Sequence, residues 1–130
     1  MRKVRNILSI DPGLRNLAFV LITPTRHILK WNRLSLLSEV VAYSPSKYAK
    51  SVASIMTEML RISSIYSDLP PHVLVERQPS KVTHHSSVRE KVITVEALLH
   101  SSALSAGCTT EECAPQLITK YLKLKGSKGS

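Results

Sequence analysis

The stretch ILSIDPG, residues 7–13, decides the expected fold, because a short apolar run ends in a carboxylate followed by Pro-Gly. A second run of this kind, HVLVER at residues 72–77, leads into Glu76. Apolar runs of this length bounded by turn residues are typical of central strands. We therefore expect Asp11 and Glu76 where two buried strands emerge, a position at which a rigid sheet can hold ligands for a metal ion.

The residues between these two runs predict a strand hairpin and a helix. Residues 17–22 and about 27–34 form two further strands, joined by a turn that contains Pro24. In the later strand, alternation predicts one face that is more buried than the other. Apolar residues at three- and four-residue steps predict a helix over about 47–66, capped by a serine that follows Pro45.

The residues after Glu76 predict a second helix and a short end. Ser86 or Ser87 is expected to cap that helix and Gly107 to end it. Residues 108–115 are weakly patterned and can hold a short fifth strand. A short helix is expected over 115–124, followed by a flexible basic tail at 125–130. We therefore expect one domain over residues 1–124.

This order of elements predicts an α/β fold with a mixed sheet. The hairpins make strands one to three antiparallel, and a right-handed helical crossover brings strand four beside and parallel to strand one. On this layout Asp11 and Glu76 lie on neighbouring strands at the same end of the sheet.

Composition narrows the class of protein. With 130 residues, 43% of them hydrophobic, the chain can bury a core and is not a disordered segment. A net charge of +9 favours nucleic acid as partner, and an anionic membrane surface second; a basic protein that is merely soluble is the plain alternative. The longest apolar run is too short to span a bilayer, and we expect no targeting segment. Cys108 and Cys113 are expected to be ordinary thiols.

The acid-ended strands and their order resemble the RNase H-like fold. Within it, residues 9–18 (SIDPGLRNLA) resemble the start of the RuvC-like Holliday junction resolvases. Residues 71–78 (PHVLVERQ) are similar to the mitochondrial branch known from yeasts, in which a hydrophobic strand ends in Glu-Arg-Gln. Shorter similarities at 27–31, 92–99 and 115–121 extend the resemblance over most of residues 6–121.

The resemblance implies a mitochondrial, structure-selective endonuclease that cuts four-way DNA junctions with two Mg²⁺ ions. It also implies a homodimer, because such a junction is roughly two-fold symmetric. Asp11 matches the bridging carboxylate of the family, Glu76 matches the second metal ligand, and Gly13 would let the backbone approach a phosphate. The other residues expected to contact nucleic acid are Arg15, Asn16, Arg77, Gln78, Lys81 and Arg89.

The two acids also have plainer interpretations. Asp11 before Pro-Gly can be a turn residue. Glu76 can pair with Arg77 or cap a loop. Asp-x-Gly by itself also begins the sugar-kinase and actin-like ATPases, although this chain is too short for their two-domain cleft.

Three further side chains have both a functional and a structural interpretation. Adjacent His84 and His85 can activate water or bind metal, but histidines in a polar loop are more often solvent-exposed. Trp31 is expected to be a core or interface aromatic and not a platform for base stacking. Glu96 can simply satisfy a buried partner.

The sequence departs from the family pattern near its end. The family carries further aspartates on a late helix, in a Lys-Lys-Asp-Asp type motif, whereas the aspartates here are Asp11 and Asp68 and no acid follows Glu112. Two carboxylates supply a charge of about −2 against +4 for two magnesium ions. We therefore expect that the last part of the domain is missing.

Two explanations of this departure stay open. The chain can be a fragment of an active resolvase. It can also be a short relative that keeps the fold and the basic surface without the chemistry. In the second case it would bind RNA and ribosomal proteins as an inactive or structural component of a mitochondrial ribonucleoprotein such as the ribosome.

Overall fold

The computed structural model describes residues 4–13, 17–34, 44–77 and 86–113. Short apolar runs form the central strands, and amphipathic segments form the two described helices. The elements in chain order are β1 (Ile7–Asp11), β2 (Leu17–Ile22), β3 (Ile28–Leu34), α1 (Pro45–Ser64), β4 (His72–Glu76), α2 (Ser86–Ser105) and β5 (Thr109–Cys113).

In the described part of the chain, the strands form one mixed sheet in the order β3-β2-β1-β4-β5. β2 is antiparallel to both β1 and β3. β4 runs parallel to β1, and β5 runs parallel to β4. The predicted arrangement of the first four strands is confirmed. The suggested fifth strand exists as well, and it extends the sheet on the side of β4.

Both described helices pack on one face of the sheet. Alternate residues of β1 and β4, such as Ile10 and Val75, lie in the same buried cluster as Met56 of α1 and Leu99 of α2. We call this side the helix face. Because side chains alternate along a strand, the residues between them lie on the opposite side, which we call the site face.

The start of α1 differs from the prediction. Ser44, which precedes the proline, is the N-cap, and its hydroxyl accepts a hydrogen bond from the Lys47 backbone N–H at 3.3 Å. Pro45 then occupies the first turn, where a proline costs no hydrogen bond. The expectation of a cap after the proline is wrong, because the residue that follows it is already helical.

The bounds of the two helices agree with the predictions in part. α1 ends at Ser64, two residues earlier than predicted, and Tyr66 is 46% exposed in the turn that follows. α2 begins at Ser86, so Ser86 and Ser87 are helical residues and not the cap. Gly107 follows α2 with a φ of +84°, a conformation that favours glycine and ends a helix. The predicted helix over 115–124, the domain boundary and the tail lie outside the described residues.

The described side chains of β3, residues 28–33, are exposed apart from Leu29, which is partly buried. Ile28 is 47% exposed and Trp31 is 62% exposed, whereas Leu29 packs against the core. β3 is an outer strand of the described sheet, so it has a strand neighbour on one side in that sheet. Trp31 is therefore not a core aromatic, and its role as an interface residue stays a prediction.

Neither described helix combines the length and the apolar character that crossing a bilayer requires. Both cysteines are free thiols, as expected.

Candidate functional site

The parallel pairing of β1 with β4 brings Asp11 and Glu76 together. Ile10 lies opposite Val75 in this pairing, so the next residue of each strand is one of the two acids. Neighbouring strands are about 4.8 Å apart, and parallel strands end at the same edge. The predicted juxtaposition of the two acids at one end of the sheet follows from this register. Both carboxylates belong to the site face.

The two acids differ in their exposure to solvent. Glu76 is only 7% exposed, whereas Asp11 is partly exposed. Asp11 is still paired with Ala18 of β2, so it is a strand residue and the turn begins after it. A carboxylate as buried as that of Glu76 is costly unless positive charge or hydrogen bonds compensate it. Two carboxylates side by side at one edge of the sheet supply the oxygen ligands and the negative charge that a cation such as Mg²⁺ binds.

A thiol continues the row of site-face residues on β5. Cys113 lies opposite Glu76 in the β4–β5 pairing. Burial raises the pKa of the Cys113 thiol, and the negative charges of Glu76, Glu111 and Asp11 raise it further. A protonated thiol is a poor ligand for a hard cation such as Mg²⁺, so Cys113 flanks the acids without competing for that ion.

The sequence pattern predicts an ordinary thiol at Cys113 and does not predict its position beside Glu76. The signal that could have found it is its distance from Gly107, which ends α2. A strand that begins two residues after this glycine and runs parallel to β4 brings its fifth residue, Cys113, opposite Glu76.

The acid pair fits Mg²⁺ by its chemistry. Mg²⁺ prefers oxygen ligands, and it is usually held by one or two carboxylates, with waters and substrate phosphates completing its coordination. Among the described residues there is no group of three or more His, Cys, Asp or Glu side chains placed to hold a metal. Asp11 and Glu76 therefore fit as the protein ligands of one Mg²⁺ ion. A second ion would need ligands from the nucleic acid or from residues outside the described ranges.

Arg77 contacts two residues of β5. Its Nη1 atom lies 3.8 Å from Oε2 of Glu112, and its backbone N–H donates to the carbonyl of Cys113 at 3.0 Å. The side chains of Arg77 and Glu112 are largely exposed, so this ion pair contributes little to stability. The role of Arg77 as a phosphate contact stays a prediction.

The remaining predicted contacts are placed only in part. Gly13 is partly exposed and follows Asp11 by two residues. Arg89 lies in the first turn of α2, but its side chain is not described. The other residues predicted in or near the site lie outside the described ranges; they are Arg15, Asn16, Gln78, Lys81, His84 and His85.

Comparison with known proteins identifies the family of the chain. The family model described as the catalytic domain of "Mitochondrial resolvase Ydc2 / RNA splicing MRS1" matches residues 7–114. No curated protein matches the chain.

Solved structures share the fold at low sequence identity. RuvC of Thermus thermophilus in complex with a Holliday junction substrate superimposes with a TM-score of 0.70 at 16% identity, covering 98% of this chain and 73% of that one. The yeast mitochondrial Holliday junction resolvase Ydc2 gives a TM-score of 0.62 at 16% identity, covering 98% of this chain and 58% of that one. Another structure of T. thermophilus RuvC gives 0.64 at 16% identity, with 91% and 69% covered. These likenesses show a RuvC-type, RNase H-like fold.

Proposed function

This chain belongs to the family of the mitochondrial resolvase Ydc2 and the RNA-splicing protein MRS1. We propose that it is an endonuclease domain acting on four-way DNA junctions in mitochondrial recombination. The observation that carries the proposal is the Asp11–Glu76 pair at the end of β1 and β4. RuvC, whose fold the chain shares, has been solved with a Holliday junction substrate.

In this proposal, Asp11 and Glu76 hold Mg²⁺ beside the phosphate to be cut. When bound, the ion would polarise that phosphate and lower the pKa of an attached water. The two carboxylates alone would repel a phosphate. The positive charge of the ion would offset this repulsion. The net charge of +9 would attract the polyanionic substrate over longer distances.

The proposal extends to location and assembly. The mitochondrial location is inferred from the description of the family. A homodimer would suit the two-fold symmetry of a four-way junction. Branched DNA is the proposed partner.

A second candidate is a nucleic-acid-binding protein of a mitochondrial ribonucleoprotein that has kept the fold without the cleavage activity. Two observations favour it. Among the described residues, no group of three or more His, Cys, Asp or Glu side chains is placed to hold a metal. The family description also includes RNA splicing beside resolvase activity. This candidate predicts binding of nucleic acid without cleavage.

The test is incubation of the chain with a synthetic four-way junction and Mg²⁺, with a linear duplex of the same sequence and a chelator as controls. The resolvase proposal expects paired nicks near the branch point, in the junction alone and only with the metal. Binding of the junction without nicks would contradict it and favour the second candidate.

A further inference from the structure

An exposed tryptophan and an exposed arginine lie on the same face of the sheet as the acid pair. The β2–β3 pairing sets Ala18 opposite Arg33, and the β1–β2 pairing sets Asp11 opposite the same alanine. Residues directly opposite each other share a face. Arg33 therefore lies in the same row as Asp11, two strands away, which corresponds to about 10 Å at a spacing of about 4.8 Å per strand.

Trp31 lies two residues before Arg33 on the same strand and therefore on the same face. Its partner across the β2–β3 pairing is Val20, which is 2% exposed, whereas Trp31 itself is 62% exposed. A buried strand thus supports an indole ring that remains open to solvent.

The opposite face of β3 carries Lys30. Its partner across the pairing is Leu21, a core residue of the helix face. The hydrogen bond from Arg61 lowers the pKa of Glu58 on α1, and the positive charge of Lys30 lowers it further, in agreement with a position of Lys30 on the helix face. Arg33 and Lys30 are therefore two exposed cations of one strand that face opposite ways.

These features favour a nucleic acid over a protein on this surface. An indole beside a guanidinium is the combination that binds unstacked bases and their phosphates, because every base has a π-face and every linkage a negative charge. A charged residue such as Lys30 on an outer strand disfavours pairing with another sheet. The net charge of +9 is complementary to a polyanion.

Contrary to the expectation from the sequence, and because Trp31 is 62% exposed, we propose that Trp31 and Arg33 form a stacking site for an unpaired base and its phosphate, located beside the acid pair. The site would hold a strand that leaves the duplex, about 10 Å from Asp11. This inference deepens the proposed function, because unstacked bases near a branch point would distinguish a junction from a linear duplex.

The test uses Trp31 as its own reporter, since it is the single tryptophan of the chain. Fluorescence is titrated with a single-stranded oligonucleotide, a four-way junction and a blunt duplex, all in the presence of a chelator. We expect strong quenching by the first two and weak quenching by the duplex. The Trp31 variants lack this fluorophore, so their affinities are measured by the fluorescence anisotropy of a labelled single-stranded oligonucleotide, with the original chain measured in the same way. Trp31→Phe should retain affinity for the single strand within about twofold, and Trp31→Ala should lose about 5- to 150-fold.

Charge variants separate a local contact from general attraction. Arg33→Gln should weaken binding of the single strand and reduce its salt dependence by about one ion. Lys30→Gln removes the same charge from the opposite face of the same strand and should weaken binding less. Equal effects of the two charge variants, or unchanged affinity in Trp31→Ala, would overturn the proposal. So would a Trp31→Ala variant that alters the oligomeric state without altering affinity, since the surface would then be a protein interface.

The two proposals fail in distinguishable ways. Binding and quenching are measured without metal, so an inactive protein can still show the stacking site. Cleavage that persists unchanged in Trp31→Ala, with unchanged affinity, would remove the stacking site while leaving the nuclease proposal intact.

Discussion

Asp11 and Glu76 each lie one residue beyond Ile10 and Val75, the last two residues at which β1 and β4 pair in parallel. The apolar residues that drive each strand into the core thus also align the two carboxylates. Any shift of this register by one residue would move one acid to the helix face. The burial of the central strands therefore fixes the geometry of the candidate site.

Mg²⁺ should stabilise the folded chain through Asp11. Because an ion that binds only the native state shifts unfolding by mass action, we expect stabilisation of about 1.4 kcal/mol at ten times the dissociation constant. Thermal unfolding with and without Mg²⁺ measures the effect. Asp11→Asn should abolish the shift. Asp68 is an exposed acid that precedes the first residue of β4, at the end of that strand opposite Glu76, so Asp68→Asn should leave the Mg²⁺-induced shift intact. Equal shifts in both variants would contradict the assignment.

The part of the site that the sequence predicts is the part encoded by strong apolar runs. Residues 17–22 form a strand with the predicted bounds, and Asp11 and Glu76 end β1 and β4 as expected. The helix crossover between two such strands leaves few alternatives for their pairing. The acid pair was therefore predictable without knowledge of the structure.

The parts that the sequence predicts weakly or wrongly lie where the apolar signal is weak. The fifth strand could only be suggested within residues 108–115, and its pairing could not be predicted. β5 is TTEEC, largely exposed, and its strand conformation comes from pairing with β4 and not from its own pattern. The role of Cys113 beside Glu76 depends on that pairing. On β3 an alternating pattern was present, but an outer strand leaves Trp31 exposed. Local pattern cannot report a neighbour that is distant in sequence.

Ser63 should contribute to stability through a buried hydrogen bond. The Asn6 Nδ2 group donates to the Ser63 hydroxyl at 2.9 Å, and the two residues are 0% and 1% exposed. Ser63→Ala would leave the buried amide without this acceptor, at a cost of about 1–3 kcal/mol. Urea unfolding measures the change. The neighbouring Ser64→Ala is the control: its hydroxyl is exposed and should matter by less than about 0.5 kcal/mol. Similar losses in both variants would refute this account.

The Cys113 thiol should react slowly with alkylating reagents. Burial and the nearby carboxylates raise its pKa above the ordinary value of 9.0, so less thiolate is present at any pH below that range. The alkylation rate, followed by mass spectrometry, should still be rising with pH above 9.0. Cys113→Ser identifies the reacting site, because Cys108 is also free but only 5% exposed. An alkylation rate that levels off below pH 9.0 would show that the pKa of the Cys113 thiol is not raised.

The most direct test of the central claim is cleavage of a synthetic four-way junction with Mg²⁺ by the chain and three variants. We expect paired nicks from the original chain and from Asp68→Asn. Asp11→Asn and Glu76→Gln should lose more than about 100-fold in rate, since metal-held charge stabilisation is worth several kcal/mol. All four proteins should still bind the junction. Cleavage by Asp11→Asn at the original rate, or junction binding by the original chain without any nick, would contradict the account.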